Sequence, residues 1–259
     1  MSLRGWMERH AIGVTVVSNM EEKLIPVRML SIAMPVYNEE AAIERVVLEH
    51  AEELQRMRDV VPEWEIICVD DGSNDRTPEI LQGLQKRVPQ LRVVRQENQG
   101  ISGAFAAGFR EARGSHVFAT GSDGQWPAEN LTPLLRAAFS GADLVVGVRS
   151  NKREVYASSR RLVSGAFNLL PTILFGVRVV DAGSIKLGLR EVFEYQLISR
   201  SVFVEAERII LARRKGRRVE FVPIRFLPRS GGKAMGASWK NLRNSIVDLL
   251  RCLWKYGFR

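Results

Sequence analysis

Cysteines, histidines and long apolar runs are scarce in this chain of 259 residues. Its two cysteines, Cys68 and Cys252, are too few for a disulfide framework and are typical of reduced thiols in a cytosolic protein. The three histidines show no metal-ligand spacing. No uncharged apolar run reaches the roughly 20 residues that a membrane-spanning helix needs. The N-terminus carries Glu8 where a signal peptide needs apolar residues, which favours a mature cytoplasmic N-terminus.

Several common motifs are also missing from the sequence. There is no G-x-G-x-x-G after the first apolar run and no G-x-x-x-x-G-K-[S/T], which argues against a dinucleotide-binding fold and a P-loop enzyme. There is no G-x-S-x-G nucleophile elbow. No nucleic-acid-binding motif or interleaved aromatic pattern is present, so we expect no nucleic-acid partner.

Positive charge is concentrated at the end of the chain. Residues 186–259 contain 17 Lys and Arg against 6 Asp and Glu, a net charge of +11, whereas residues 1–185 carry −2. This asymmetry predicts that the basic part meets an anionic partner: nucleic acid, an acidic membrane surface or a phosphate-bearing substrate. A solvated basic surface is the alternative.

Short apolar runs alternate with amphipathic stretches of helical length between residues 30 and 148. This alternation predicts βαβ units and an α/β fold with a mostly parallel sheet flanked by helices. The predicted strands are 30–36, 65–70, 91–95, 116–120 and 143–148, and the predicted helices are 40–57, 77–87, 102–113 and 129–139.

The pattern is looser after residue 148. Residues 158–176 predict a helix interrupted at Pro171, residues 192–215 a helix, and residues 219–226 a strand. Residues 241–256 alternate apolar and basic positions at helical spacing, which predicts a basic amphipathic helix.

Polar residues follow four of the predicted strands, in the segments 37–40, 71–75, 96–100 and 121–125. Ligands bind at the carboxyl ends of strands in open α/β sheets, so these segments predict one shared binding edge. Turn and capping chemistry, which also uses Asp, Asn, Ser and Gly, is the alternative for any single segment.

The segments PVYNEE, VDDGSNDRT and SDGQWP resemble the family 2 glycosyltransferases, which have the GT-A fold. Downstream, GADLVVGVR resembles the family's strand ending in G-x-R, and VVDAGSIKLGLREVF resembles the segment after the acceptor helix. The run FVEAERIILARRKGRRVEFVPIRFLPRSGGK resembles the dolichyl-phosphate mannosyltransferase-like branch. The resemblance covers about residues 28–240, and its specificity comes from six short motifs in the right order.

The resemblance implies a GDP- or UDP-linked sugar donor, a polyprenyl phosphate acceptor and a role in cell envelope biosynthesis. It implies base and ribose contacts from Pro35, Tyr37 and Glu39, and a base-pocket floor from Val69 and Asp71. Residues implied to act on phosphates, metal and acceptor are Asp123 and Gln125 (Mg²⁺ or Mn²⁺ and diphosphate), Arg229 and Lys233 (donor phosphates), and Ser184 and Lys186 (acceptor phosphate).

Gly121 stands where the family motif D-x-D-x-Q begins with Asp. Either Asp123 and Gln125 hold the metal through its waters, or Arg229 and Lys233 neutralise the phosphates, or the protein binds a donor without turning it over. We expect weak metal use, and we count Asp123 and Arg229 among the catalytic residues.

A phosphate acceptor needs no strong general base, because its second pKa is about 6 and it is ionised at neutral pH. Asp181 is therefore predicted to lie near the acceptor as a positioner or weak base. The alternative for Asp181 is a loop cap before Gly183.

We predict three parts of the chain: an N-terminal extension (1–27), a GT-A domain (28–240) and a basic amphipathic helix (241–259). The predicted activity is inverting sugar transfer to a polyprenyl phosphate by a peripheral protein on the cytoplasmic face of the membrane, with a membrane-protein partner as a further expectation. The alternatives are a family 2 enzyme with a soluble or glycan acceptor and a non-catalytic nucleotide-sugar-binding protein.

Overall fold

The computed structural model describes residues 27–151, 169–228 and 239–257. Seven strands form one sheet: β1 (Met29–Val36), β2 (Glu63–Asp70), β3 (Leu91–Arg95), β4 (His116–Ala119), β5 (Leu144–Arg149), β6 (Lys186–Leu189) and β7 (Val219–Ile224). The helices are α1 (Ile43–Arg56), α2 (Thr77–Arg87), α3 (Gly100–Glu111), α4 (Leu131–Phe139), α5 (Arg190–Phe193), α6 (Val204–Arg214) and α7 (Trp239–Tyr256), with a short 3₁₀ turn at Ala128–Asn130.

The strand order is β3-β2-β1-β4-β6-β5-β7. All pairs are parallel except those of β6, which runs antiparallel to β4 and β5. The mostly parallel α/β sheet predicted from the sequence is confirmed. The parallel pairing brings the carboxyl ends of β1, β2 and β4 to one edge, where Val36 lies opposite Asp70.

Alternate side chains of each strand enter two cores on opposite faces of the sheet, as a buried strand requires. Ile32 and Cys68 pack with α1, α2 and α4, while Ala33 and Val69 pack with α3, α5, α6 and α7. Helix α7 contributes Cys252 to this second core. The predicted domain boundary at residue 241 stays a prediction. Helix α7 packs against the same core as α3, α5 and α6.

The structure differs from the local predictions in three places. The predicted helix 192–215 is instead α5 and α6 separated by an irregular segment at 194–203. The strand β6 was not predicted at all, because its sequence KLGL contains a lysine and a glycine and lacks the apolar pattern of a strand. Residues 169–175 are helical across Pro171, so no break occurs there, while residues 158–168 of that prediction reach outside the described part.

Candidate active site

The loops after β1 and β2 are tied into one unit at the predicted edge. The Asn38 backbone N–H donates to Ser73 Oγ (3.0 Å), and Asn38 Oδ1 accepts from the Asn74 backbone N–H (2.9 Å). The Glu39 backbone N–H donates to Thr77 Oγ1 at the start of α2 (2.9 Å). Asn38 adopts a φ of 53°, a conformation that Asn tolerates better than most residues. Two motifs that are separate in sequence therefore form a single surface.

Asp71 lies at the centre of this surface and is 3% exposed. Its Oδ1 accepts from Gln96 Nε2 (2.7 Å) and from the Gln99 backbone N–H (2.8 Å), which joins the end of β2 to the loop between β3 and α3. Gly72 has a φ of 76°, and a Cβ there would come within 3.1 Å of the Asn98 backbone nitrogen. The turn after Asp71 thus needs glycine.

The other residues predicted to contact the donor base and ribose take different positions. Pro35 is buried in β1, and its carbonyl oxygen accepts from Ser122 Oγ (2.7 Å). Tyr37 and Glu39 are half-buried at the edge. The Val69 side chain is fully buried in the core beneath α3, so only its backbone faces the edge.

Asp123 and Gln125 form a turn after β4. Asp123 Oδ1 accepts from the Gln125 backbone N–H (3.1 Å), and Gln125 Nε2 donates to the carbonyl oxygen of Leu227 (3.2 Å). Because the amide nitrogen is tied to Leu227, the carbonyl oxygen of that amide is the end left to act as a ligand. The described residues contain no group of three or more His, Cys, Asp and Glu side chains that could hold a metal. One carboxylate and one amide oxygen fit a Mg²⁺ or Mn²⁺ ion that keeps waters and takes further oxygens from a diphosphate.

Gly121 lies against an aromatic side chain. A Cβ at Gly121 would come within 3.1 Å of Trp126 Cδ1, which is tighter than ordinary contact. The Trp126 ring packs on Phe226 with centroids 4.6 Å apart, and the Arg149 guanidinium lies over both rings, 5.6 and 5.3 Å from their centroids. Trp126 therefore takes up space next to the position where the family has its first Asp.

Arg149 and Asp181 form a buried ion pair at the end of β5. The Arg149 Nε lies 3.0 Å from each carboxylate oxygen, its Nη2 contacts Oδ1, and its backbone N–H donates to Oδ2 (2.9 Å). The side chains are 11% and 1% exposed. Asp181 has a φ of 50°, so the pair is held in a strained turn. This geometry suits the predicted positioning role of Asp181 better than that of a weak base.

Lys186 was predicted to meet the acceptor phosphate, but it is 1% exposed. Its Nζ donates to the carbonyl oxygens of Ala182 (2.5 Å) and Ser184 (3.0 Å) and lies 2.7 Å from Glu205 Oε2. Burial alone would raise the pKa of Glu205, but Lys186 and Arg208 hold it below its usual value. Lys186 thus braces the turn that carries Asp181. Ser184 is also buried, and within the described residues its hydroxyl has no hydrogen-bond partner. The predicted phosphate clamp, Arg229 and Lys233, lies outside the described residues.

A groove of about 640 Å³ leads away from this edge between α3 and residues 193–205. Gln99, whose backbone N–H donates to Asp71, is one of its lining residues. Arg208 is 4% exposed on the far wall, between the rings of Phe109 and Phe193 at 4.9 and 5.2 Å. Through Gln99 the groove borders the Asp71 edge, and its opposite wall includes Leu197, Ser199 and Arg200.

Sequence reasoning missed three residues of this site. The G-x-R end of β5 was noticed, but Arg149 was given no role, although an arginine at a strand's carboxyl end was the available signal. Trp126 and Phe226, which enclose Arg149, gave no signal, because their contact joins residues far apart in the chain.

A mostly parallel sheet with one antiparallel strand and a polar carboxyl edge is consistent with the GT-A fold. The chain belongs to glycosyl transferase family 2, whose model matches residues 31–196, and it is a glycosyltransferase. It is 31% identical over 236 residues to the undecaprenyl-phosphate 4-deoxy-4-formamido-L-arabinose transferase of Pseudomonas paraeruginosa, covering 89% of this chain and 67% of the relative. The corresponding Pectobacterium atrosepticum protein is 31% identical over 234 residues, with 88% and 68% covered.

Solved structures support the same fold. Glucosyl-3-phosphoglycerate synthase from Mycobacterium tuberculosis, in complex with Mn²⁺, UDP and phosphoglyceric acid, superposes with a TM-score of 0.64 at 20% identity, covering 96% of this chain and 85% of that one. The same enzyme with Mg²⁺ and UDP gives 0.62 at 19% identity, with 95% and 85% covered. These likenesses concern the fold alone. The GT-A fold expected from the sequence is confirmed.

Proposed function

We propose that this protein transfers a sugar from a UDP- or GDP-linked donor to a polyprenyl phosphate, with inversion at the anomeric carbon, on the cytoplasmic face of a membrane. The observation that carries the proposal is the match to undecaprenyl-phosphate transferases along 89% of the chain, which includes the site and most of its surroundings. The donor sugar is left open.

The donor edge supports nucleotide binding. Asp71 is fixed by two hydrogen bonds beside the half-buried Tyr37 and Glu39, so a base and ribose would meet preorganised polar groups. Asp123 and Gln125 would hold a divalent ion, which stabilises the charge that grows on the diphosphate leaving group. Arg229 and Lys233 are proposed to neutralise the remaining phosphate charge.

The acceptor side supports a phosphate nucleophile. An oxygen of the ionised phosphate attacks the anomeric carbon, the bond from that carbon to the β-phosphate oxygen breaks, and its electron pair leaves with the nucleoside diphosphate. No proton has to be removed from the acceptor. The pairing of Asp181 with Arg149 agrees with this, because the carboxylate is engaged in positioning a cation at the site.

Helix α7 supports a membrane contact. Its outward face exposes Ile246 (50%), Leu250 (58%) and Trp254 (92%), with the exposed Arg243 and Arg251 on the same side. An apolar stripe bordered by cations fits the headgroup region of an anionic bilayer. Within residues 27–151, 169–228 and 239–257, no helix is both long and apolar enough to cross a bilayer.

A second apolar patch lies near the end of α7. Leu169, Leu170 and Ile173 are 58%, 49% and 64% exposed in the helical residues 169–175. Arg214 links the two helices, since its guanidinium lies 5.7 Å from the Phe175 ring centroid and donates to the carbonyl oxygen of Tyr256. The two patches therefore belong to neighbouring surfaces, and residues 169–175 lead directly to Asp181.

The test is a product assay with purified protein, a panel of UDP- and GDP-sugars, and polyprenyl phosphate in anionic vesicles. Mass spectrometry should detect a polyprenyl-phosphate sugar and the released nucleoside diphosphate. Transfer only to soluble phosphates or glycans would move the protein to the first alternative. Nucleotide-sugar binding without any turnover would favour the non-catalytic alternative, which is suggested by Gly121 in place of the first Asp of the motif. A thermal shift screen narrows the panel first, since a ligand at 100 times its Kd adds about 2.7 kcal/mol.

A further inference from the structure

The wall of the groove opposite α3 is an irregular segment whose backbone is held by two buried carboxylates. The backbone N–H groups of Ile198 and Ser199 donate to Glu207 (2.9 and 2.8 Å). Those of Arg200 and Ser201 donate to Asp248 Oδ2 (2.9 and 2.8 Å). Residues 198–201 belong to no helix or strand, so these four bonds are what satisfies their backbone N–H groups and holds the wall in place.

Both carboxylates connect the wall to α7. Asp248 belongs to α7 and is 2% exposed, and Glu207, in α6, accepts from Tyr256 Oη of α7 (2.6 Å). Cys252 Sγ of α7 also lies 3.5 Å from Ser199 Oγ. The inner face of α7 therefore binds the groove wall through these contacts, while its outer face exposes the stripe of Ile246, Leu250 and Trp254.

The contact is suited to an ionised Asp248. Burial alone would raise the pKa of Asp248, but hydrogen bonds from Ser201, Arg200 and Arg251 hold it below its usual value. Charge-assisted bonds to backbone N–H groups are stronger than neutral ones, so Asp248 holds the wall firmly to α7. The wall lines the same groove as Gln99, whose backbone N–H donates to Asp71.

We propose that Asp248 and Glu207 are positioning residues for sugar transfer, which couple the seating of α7 on an anionic bilayer to the shape of the substrate groove. The inference depends on the proposed function, because it takes the bilayer as the occupant of the outer face of α7. A helix fixed at the bilayer holds residues 198–201 against α3, so donor binding at Asp71 meets an ordered wall. Linkage then requires that the donor tighten vesicle binding by the same factor as vesicles tighten donor binding.

The experiment measures the affinity of the full chain for UDP and GDP, with and without vesicles of phosphatidylcholine and phosphatidylglycerol. For the wild type, vesicles should lower the Kd of the preferred nucleotide by about 5-fold or more, the lower end of ordinary coupling between sites. Asp248→Asn should still co-sediment with vesicles but lose this gain. Asn244→Ala, a change at an exposed α7 residue, is the matched control and should behave as wild type.

A second variant separates loss of coupling from misfolding of Asp248→Asn. Tyr256→Phe removes one hydrogen bond to Glu207 and should reduce the gain partly, with a melting temperature near that of the wild type. Wild type that binds vesicles without any change in nucleotide affinity overturns the coupling alone, as does an Asp248→Asn protein that keeps the full gain. Wild type that does not bind vesicles rejects the membrane contact in the proposed function, and the coupling with it.

Discussion

The Arg149 guanidinium contacts both oxygens of the Asp181 carboxylate, and its Nε lies 3.0 Å from each of them. Trp126 and Phe226 cover the guanidinium, so the ion pair is closed off from water on its aromatic side. Removing one partner from such a buried pair leaves a charge without compensation. Loss of either partner should therefore both destabilise the site and change its charge.

Asp181→Asn should reduce turnover by at least about 10-fold, because Arg149 loses the charge that orients it, and breaking a buried pair should cost about 3–5 kcal/mol of stability. Steady-state kinetics and urea unfolding check the two effects. Asp59→Asn, an exposed substitution after α1, is the control. Normal kcat in a well-folded Asp181→Asn protein would remove Asp181 from the positioning role.

Asp123→Ala should abolish turnover and weaken metal-dependent binding of nucleoside diphosphate, because Asp123 is the carboxylate remaining in the motif. Calorimetry with UDP and GDP, with and without Mn²⁺, measures the second effect. Glu129→Ala is a matched control, since that carboxylate is 68% exposed and pairs only loosely with Arg225 at 3.9 Å. Unchanged metal-dependent affinity would exclude Asp123 from the metal site.

Gly121→Asp should tighten Mn²⁺ affinity in the presence of nucleotide, because it adds an anionic ligand. The contact with Trp126 adds a steric cost that Gly121→Ala measures on its own.

We also expect Arg229→Ala to lose more activity than removal of the metal, since a fixed hydrogen-bond donor at the developing negative charge contributes roughly 3–4 kcal/mol of transition-state stabilisation. Turnover is measured across a Mn²⁺ titration for wild type, Gly121→Asp, Gly121→Ala and Arg229→Ala. If the wild type is inactive in chelator while Arg229→Ala keeps nearly normal activity, the metal matters more than Arg229, contrary to this prediction.

The paired change Leu250→Ala and Trp254→Ala should release the protein from phosphatidylglycerol-containing vesicles, because both side chains lie on the exposed stripe of α7. Co-sedimentation at low and high salt measures the release. Deleting residues 241–259 is a poorer test, since it also removes the core residue Cys252 and the carboxylate of Asp248. Vesicle binding that survives the paired change would indicate the patch at 169–173.

Glu65 provides a pH test away from the site. Burial alone would raise its pKa, but hydrogen bonds from Arg113, Arg92 and Ser31 hold it below its usual value. A lowered folded-state pKa contributes stability above the unfolded value of about 4.3, and this contribution is lost as pH falls through the folded value. Urea unfolding from pH 6 to pH 3 should show a smaller acid dependence for Glu65→Gln than for wild type, whereas the exposed Glu63→Gln should match wild type.

Much of the fold could be predicted from local sequence patterns. Strand β3 and helix α2 begin and end where their apolar patterns indicate, and the polar segments after β1, β2 and β4 do share one edge. These features depend on periodicity and turn residues close together in the chain.

What could not be predicted depends on partners distant in sequence. Lys186 is buried in β6 because Glu205, in helix α6, pairs with its charge. The break between α5 and α6 is stabilised by Asp248, some 50 residues downstream, whose contacts have no local signature. The Arg149 enclosure likewise needs Phe226 from beyond β7.

The antiparallel insertion of β6 has a further consequence for the region between β5 and β6. The chain leaves the sheet at Arg149 and re-enters it at Lys186, and Arg149 is bound to Asp181, five residues before that return. The Arg149–Asp181 pair therefore joins the two ends of the connection between β5 and β6, and β6 is fixed in the sheet by its pairing with β4 and β5. Exchanging residues 152–168 for a segment of another length should therefore leave β1, β2 and the donor edge in place, because the ion pair holds both ends of this connection independently of its middle.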